Sequence, residues 1–277
     1  MSALSVLAAA LLLAAPAPRS QRDVAYGSAP AQRLDLQLPE GPQPAPLFLF
    51  VHGGAWTQGD KVFHTPHPDF FLQRGWAWAS ANYRLAPAVR HPEQVQDLAR
   101  AVGWLYRNAS ARGLDPQRFV LCGFSAGAHL VALLVADPRY LAAEGVPLSA
   151  VRGVVLLDGA GYDVPRHAAL SPRLRQVFHV AFGEPGPAWE DASPVTHLRQ
   201  KRAVPPFLVF YTGEGPRAGQ QARLLTRALE HAGGHAELYP APGKDHVQLS
   251  VDLGKSAQDG PTARTLAFLE RVRREAK

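Results

Sequence analysis

The sequence predicts an α/β fold: a mostly parallel twisted sheet with an antiparallel N-terminal start, helices on both faces and a small cap insert. Three observations carry this. Short apolar runs alternate with helix-period segments of ten or more residues, the pattern of parallel strands joined by crossover helices. The first segments are linked by connections too short for a crossover, so that part is antiparallel. A Pro-punctuated stretch, residues 159–202, breaks the alternation and reads as a cap insert over the C-terminal edge of the sheet, where ligands enter such folds.

Taken in order, residues 33–38 alternate polar and apolar side chains, as a half-buried strand does. Residues 46–51 are a compact apolar run followed by Gly-Gly, a buried strand and a tight loop. Residues 76–82 read as another strand. Residues 92–107 carry Val95, Leu98, Val102 and Leu105 at helical spacing. A short buried strand at 119–123 leads into an apolar, helix-prone run at 126–135. Strands at 151–157, 206–211 and 236–239 alternate with an amphipathic helix at 218–232. A helix at 262–274 closes the pattern, and a shorter helical piece is expected near 172–181 within the insert.

Composition narrows the class. The chain has 277 residues, of which 47% are hydrophobic and 19% charged, enough apolar content for one large globular domain and too little charge for a disordered chain. A single Cys excludes an intramolecular disulfide framework and a Cys-rich metal site. The net charge of +6 is scattered, apart from a basic run at 271–277, so nucleic acid is not an expected partner. There is no Gly-rich dinucleotide fingerprint and no P-loop, and no cofactor is expected. His64 and His67 near Asp69 read as a polar loop rather than a metal centre, and no metal is expected. Residues 3–15 form an apolar stretch too short to span a bilayer and followed by small residues. Residues 1–18 therefore read as a signal peptide and 19–277 as the folded domain. The expected location is secreted or periplasmic, without stable membrane insertion. Nothing in the sequence sets an oligomeric state.

Three motifs carry chemistry. Gly123-Phe124-Ser125-Ala126-Gly127 sits between a predicted strand and a predicted helix, the context of a G-x-S-x-G nucleophile elbow. Its glycines allow close packing around a sharp turn, and its Ser stands at a helix N-terminus that favours negative charge. His52-Gly53-Gly54-Ala55-Trp56 follows the buried strand at 46–51. Its glycines let backbone N–H groups point into a site where an oxyanion forms, and Ala126 supplies a further N–H. His52 itself reads as a structural hydrogen-bonder. His246, in a loop after the last predicted strand, is the candidate base, because the Ser-elbow architecture places its His last. His91, His129, His179, His231 and His235 read as surface or packing residues.

In this order the motifs resemble the α/β-hydrolase superfamily. More narrowly, the chain is similar to carboxylesterases with an HGG oxyanion loop, a group that includes hormone-sensitive-lipase-like, feruloyl-esterase-like and kynurenine-formamidase-like proteins. Asn82-Tyr83-Arg84-Leu85-Ala86-Pro87, His91-Pro92 and Ala192-Ser193-Pro194-Val195 resemble segments of that group. The resemblance implies Ser125 as nucleophile, His246 as general base, and Gly53, Gly54, Ala55 and Ala126 as the oxyanion-hole residues. It also implies Trp56 as either a pocket wall or a core aromatic.

The triad acid departs from the pattern. Relatives place an Asp shortly after the late strand, whereas residues 212–217 here contain only Glu214 as a carboxylate. Asp158, at the end of the strand at 151–157, is an equal candidate, and Asp163 is a weaker one. The remaining possibility is that neither Asp158 nor Glu214 meets His246. The leading functional expectation is a serine carboxylic-ester hydrolase acting through an acyl-enzyme on short-acyl or carbohydrate-linked esters, with a small-molecule ester as partner. The alternatives are an amidase or formamidase, suggested by the His-Gly-Gly-Ala-Trp loop, and a non-catalytic binding protein, suggested by the missing late Asp.

Overall fold

The computed structural model describes residues 19–213 and 219–274. The segment 1–18, read above as a signal peptide, and Glu214 lie outside the described residues. Eight strands form one sheet: β1 (Ser20–Ala25), β2 (Arg33–Gln37), β3 (Ala45–Val51), β4 (Ala77–Ala81), β5 (Leu114–Phe124), β6 (Val151–Leu157), β7 (Phe207–Tyr211) and β8 (Ala236–Pro240). Their spatial order is β1-β2-β4-β3-β5-β6-β7-β8. β2 pairs antiparallel with β1 and β4, and all other pairs are parallel. The antiparallel start and the parallel remainder follow the expected architecture.

Strand alternation builds two cores, one on each face. Along β3, Leu47, Leu49 and Val51 point to one face, and Phe48 and Phe50 to the other, because successive side chains leave a strand on opposite sides. The first face is covered by the helices Glu93–Arg107, Ala126–Ala136 and Gln220–His231. The second is covered by Pro68–Leu72, His246–Val251 and Gly260–Arg274, with Phe71, Leu249, Leu253, Phe268 and Val272 packed on Phe48, Trp78 and Phe210. Cys122 is buried in this second core, where loss of water pushes its thiol pKa up and keeps it a neutral packing group.

Several elements escaped the sequence reading, among them the helices Pro68–Leu72 and Pro138–Ala143, the strand β1 and the helix that starts at His246. β1 has burial on alternate residues only in part, and Gln21, Arg22 and Asp23 disguise it; it is an edge strand whose partner bond to β2 is interrupted between Gln21 and Val24. The helix His246–Val251 replaces the expected loop. Its signal was present, since Asp245 and Gln248 form a capping box in which each side chain bonds the other residue's backbone N–H.

Residues 159–202 carry three short helices and one 3-10 turn. Phe178 and Phe182 of this insert pack on Trp56 of the main body, Phe182 also packs on His129, and Trp189 stands behind Phe178. A polar lock joins the two: the Arg139 guanidinium lies 2.6 Å from both Asp137 and Asp191, and Asp191 is also 2.8 Å from His91. Asp137, Asp191 and His197 are the one group among the described residues with metal-ligand proximity. Arg139 already supplies the positive charge between the two carboxylates.

A second lock fixes the antiparallel edge to the rest. The fully buried Asp97 carboxylate accepts from Gln32 Nε2 at 2.7 Å, from Arg84 Nε at 2.7 Å and from Arg100 at 3.0 Å. It thereby ties the helix Glu93–Arg107 to the entry of β2 and the exit of β4. Asp97→Ala should lower stability by about 3 kcal/mol, because removing one member leaves its charged partners without an acceptor. Urea denaturation of the variant against the parent protein measures this.

Candidate active site

The site grows out of strand register. Val51 of β3 pairs with Gly123 of β5, and Phe124 of β5 pairs with Leu157 of β6. Three parallel strands therefore end side by side. The residues that follow them are His52-Gly53, Ser125 and Asp158. Ser125 N–H donates to the Leu157 carbonyl at 2.9 Å, and Asp158 N–H to the Phe210 carbonyl at 3.0 Å, so each departing residue is pinned to the neighbouring strand.

Both turns are sharp. Ser125 has φ +54° and Asp158 φ +47°, in the left-handed region that side chains other than Gly seldom adopt. Such strain persists only where the surroundings enforce it, and it gathers at functional sites. The two glycines around Ser125 make the turn possible. A Cβ on Gly123 would stand 2.4 Å from the Gly127 carbonyl oxygen, and one on Gly127 would stand 2.2 Å from that of Val51. The helix Ala126–Ala136 can therefore start directly against the sheet.

His246 arrives from the opposite side as the first residue of its short helix. Its ring bridges the two strand-end residues: Nε2 lies 3.0 Å from Ser125 Oγ, and Nδ1 lies 2.7 Å from Asp158 Oδ2. A carboxylate only accepts, so Nδ1–H donates to Asp158 and Nε2 is left to accept from the Ser125 hydroxyl. Thr212, just past β7, donates to Asp158 through its N–H at 2.9 Å and through its hydroxyl. Burial pushes the Asp158 carboxyl up, but the bonds from His246 and Thr212 outweigh it and hold the group below its ordinary value of 3.8. Asp158, one of the carboxylates left open by the sequence, is in contact with His246; Glu214 lies outside the described residues. Asp163 instead caps the helix Val164–Ala168 by accepting from Arg166 N–H.

The Gly-Gly loop lies across from Ser125. A Cβ on Gly53 would fall 2.9 Å from Ser125 Cβ, so only Gly allows this approach. Gly54, Ala55 and Trp56 all have positive φ, which turns the chain sharply. Among the described residues, the N–H groups of Gly54, Ala55 and Ala126 take no backbone acceptor. Free N–H groups around a helix N-terminus can hold an anion. The loop is braced beneath. Tyr83 hydroxyl donates to the His52 carbonyl at 3.2 Å, Gln94 to the Trp56 carbonyl at 2.9 Å, and Trp56 Nε1 to His129 at 3.3 Å. His129 Nε2–H donates to the Ala192 carbonyl at 2.8 Å, which leaves Nδ1 as the acceptor for Trp56. Burial pushes His129 down to about 3, so it stays neutral and purely structural. His52 stacks on Tyr83 and is also buried, and burial lowers its pKa.

A cavity of about 660 Å³ opens beside Ser125, within the usual range for small-molecule sites. Its walls correct one expectation. No residue of the 159–202 insert lines it; the lining comes from Gly53, Gly54 and Ala55, from further residues of the segment up to His64 (Gln58, Gly59, Asp60 and Phe63 among them), and from Phe124, Ser125, His246 and Val247. Of the two roles implied for Trp56, it takes that of a core aromatic. It is buried under the insert between His129 and Phe182 and supports the loop from behind. Thr212, Phe63 and Val247 were not singled out by the sequence, which carries no local motif for them, and His64, read there only as part of a polar loop, is a cavity residue.

Known proteins are similar to this chain. The BD-FAE family model matches residues 34–140. Esterase LipC of Mycobacterium tuberculosis is 35% identical over 277 residues, covering 92% of this chain and 66% of the relative. With the fold, the HGG loop and the Ser elbow in place, this similarity decides the family. The chain is an α/β-hydrolase of the HGG carboxylesterase type. The isoprenylcysteine alpha-carbonyl methylesterase ICME of Arabidopsis thaliana is another relative of this chain, 30% identical over 83% of the chain and 57% of the relative. The chain thus spans somewhat over half to about two thirds of the length of these curated relatives. Among solved structures, the propionate-bound Est2 esterase of Thermogutta terrifontis matches it with a TM-score of 0.71 and 26% identity, covering 92% of this chain and 95% of that one.

The lowered pKa of Asp158 has a consequence for stability. A group whose pKa is depressed by folding stabilises the fold fully above its unfolded value and loses that contribution as pH falls through the folded value. The stability gap between the parent and Asp158→Asn should be widest above pH 3.8 and should narrow as pH falls below it. Urea titrations at several pH values read this directly.

Proposed function

We propose that the protein is a serine hydrolase of carboxylic esters that works through an acyl-enzyme. The observation that carries this reading is the unbroken line Ser125–His246–Asp158, with bond lengths of 3.0 and 2.7 Å. His246 Nε2 takes the Ser125 proton as Oγ attacks the ester carbonyl. The N–H groups of Ala126 and of Gly54 or Ala55, on the loop opened by Gly53, take up the negative charge on the carbonyl oxygen. Asp158, held by Thr212, keeps Nδ1 protonated and stabilises the imidazolium. The imidazolium then protonates the departing alcohol, and the acyl group stays on Ser125. In the second half of the cycle water, deprotonated by the same nitrogen, attacks the acyl carbon; the acyl–Oγ bond breaks, Ser125 Oγ takes the proton back from His246, and the acid leaves.

Of the two ester classes expected, the apolar side chains of Phe63 and Val247 at the cavity favour a short-acyl ester over a carbohydrate-linked one. Asp158 also fills the role whose apparent vacancy suggested a non-catalytic binding protein. For location we keep export, with residues 1–18 removed; N-terminal sequencing of the protein from the culture medium or periplasm tests it.

Ser125→Ala should lower kcat/KM for 4-nitrophenyl acetate by at least about 10³-fold, and Asp158→Asn by about 10² to 10⁴-fold. The parent protein should show a burst of 4-nitrophenolate at high substrate when deacylation is slow. Full activity in Ser125→Ala would sink the reading. Hydrolysis of N-formylkynurenine faster than of aryl esters would move it to the formamidase class.

A further inference from the structure

Four aromatic rings form a row that leads from solvent to the base. Phe63 meets His64 at 4.4 Å between centroids, His64 meets Phe124 at 6.1 Å, and Phe124 meets His246 at 4.7 Å. All four residues line the cavity beside Ser125. The outer end of the row is unusual for a folded surface. Phe63 is 57% exposed and its neighbour Val62 is 64% exposed, and the partly exposed Val247 faces the same cavity. Large apolar side chains left open to water around a concave site mark a binding surface.

The row is fixed in place. Ser250 Oγ–H donates to the His64 carbonyl at 2.6 Å, and His67 N–H donates to the Leu253 carbonyl at 2.9 Å. Both bonds tie the segment to the helix that begins with His246 and the residues after it. On the other side, Asn82 Nδ2 donates to Asp60 Oδ2 at 2.8 Å, and Val62 N–H donates to Asp60 Oδ1 at 3.1 Å. The wall and the base therefore keep one spacing.

From this geometry we infer that the Phe63–His64–Phe124 row, with Val247, is the leaving-group subsite, and that it selects esters of flat, apolar, uncharged alcohols such as aryl alcohols. This rests on the ester-hydrolase reading above. In acylation the acyl–oxygen bond breaks, the acyl carbon keeps its new bond to Ser125 Oγ, and the departing oxygen takes the proton from His246 Nε2. The alcohol must therefore stand on the imidazole side of Ser125, which is the side the aromatic row extends. A flat ring can stack along the row, and the Asp60 carboxylate in the same cavity disfavours an anionic alcohol.

The test compares 2-naphthyl acetate with ethyl acetate on the whole protein. Both give the same acetyl-enzyme, so a change in the ratio of their kcat/KM values reports the alcohol side alone. Phe63→Ala and Val247→Ala should each lower the naphthyl-to-ethyl ratio about three- to tenfold, chiefly through KM for the naphthyl ester. Phe63→Tyr, which keeps the ring, should restore the parent ratio. A ratio unchanged in both alanine variants overturns the subsite while leaving the hydrolase reading intact. So does a changed preference between 4-nitrophenyl acetate and 4-nitrophenyl hexanoate with the alcohol ratio unmoved, which would make the row an acyl subsite. A parent protein that cleaves none of these esters overturns both.

Discussion

The site depends on the level parallel register of β3, β5 and β6. Val51, Gly123, Phe124 and Leu157 end their strands at one height, so the loop, the Ser and the Asp leave the sheet side by side. A slip of one residue in any of these pairs would turn the departing side chain to the other face. The parallel ladder is buried on both sides, which makes such a slip expensive. The rigidity that positions Ser125 and Asp158 is thus the rigidity of the core itself.

Strain completes what register begins. Ser125 and Asp158 both take positive φ, and each is pinned by a backbone bond to the next strand. The glycines at 53, 123 and 127 are where backbone meets backbone or Ser125 too closely for a Cβ. Among the described residues, the one major site group not delivered by the end of the sheet is His246, which comes on a six-residue helix with its own capping box. Its placement joins two otherwise separate supports: the sheet, through Asp158 and Ser125, and the aromatic segment around His64, through Ser250.

The sequence was informative wherever local physics decides the outcome. Buried strands appear as apolar runs because a parallel sheet is covered on both faces, and the elbow is visible because a sharp strand-to-helix turn demands Gly at fixed positions. Asp158 and Glu214 stayed equivalent on paper because a carboxylate is matched to an imidazole by the relative height of strands, which no local pattern encodes. The edge strand β1 was hidden by its charges, since an edge strand needs no continuous apolar run. The pocket walls were also illegible. Phe63, Phe124 and Val247 are far apart in the chain, and the insert that the sequence suggested as the wall packs on the reverse side of the loop, against Trp56.

The central claim is that the strand ends present Ser125 to an ester, with His246 and Asp158 behind it and backbone donors in front. A crystal structure of the protein after reaction with a phosphonate ester tests this most directly. The account predicts phosphorus bonded to Ser125 Oγ, with its free oxygen about 3 Å from the N–H of Ala126 and from that of Gly54 or Ala55. It also predicts His246 still bonded to Asp158. Phosphorus on another residue, a free oxygen turned to solvent, or His246 paired with a different carboxylate would contradict it.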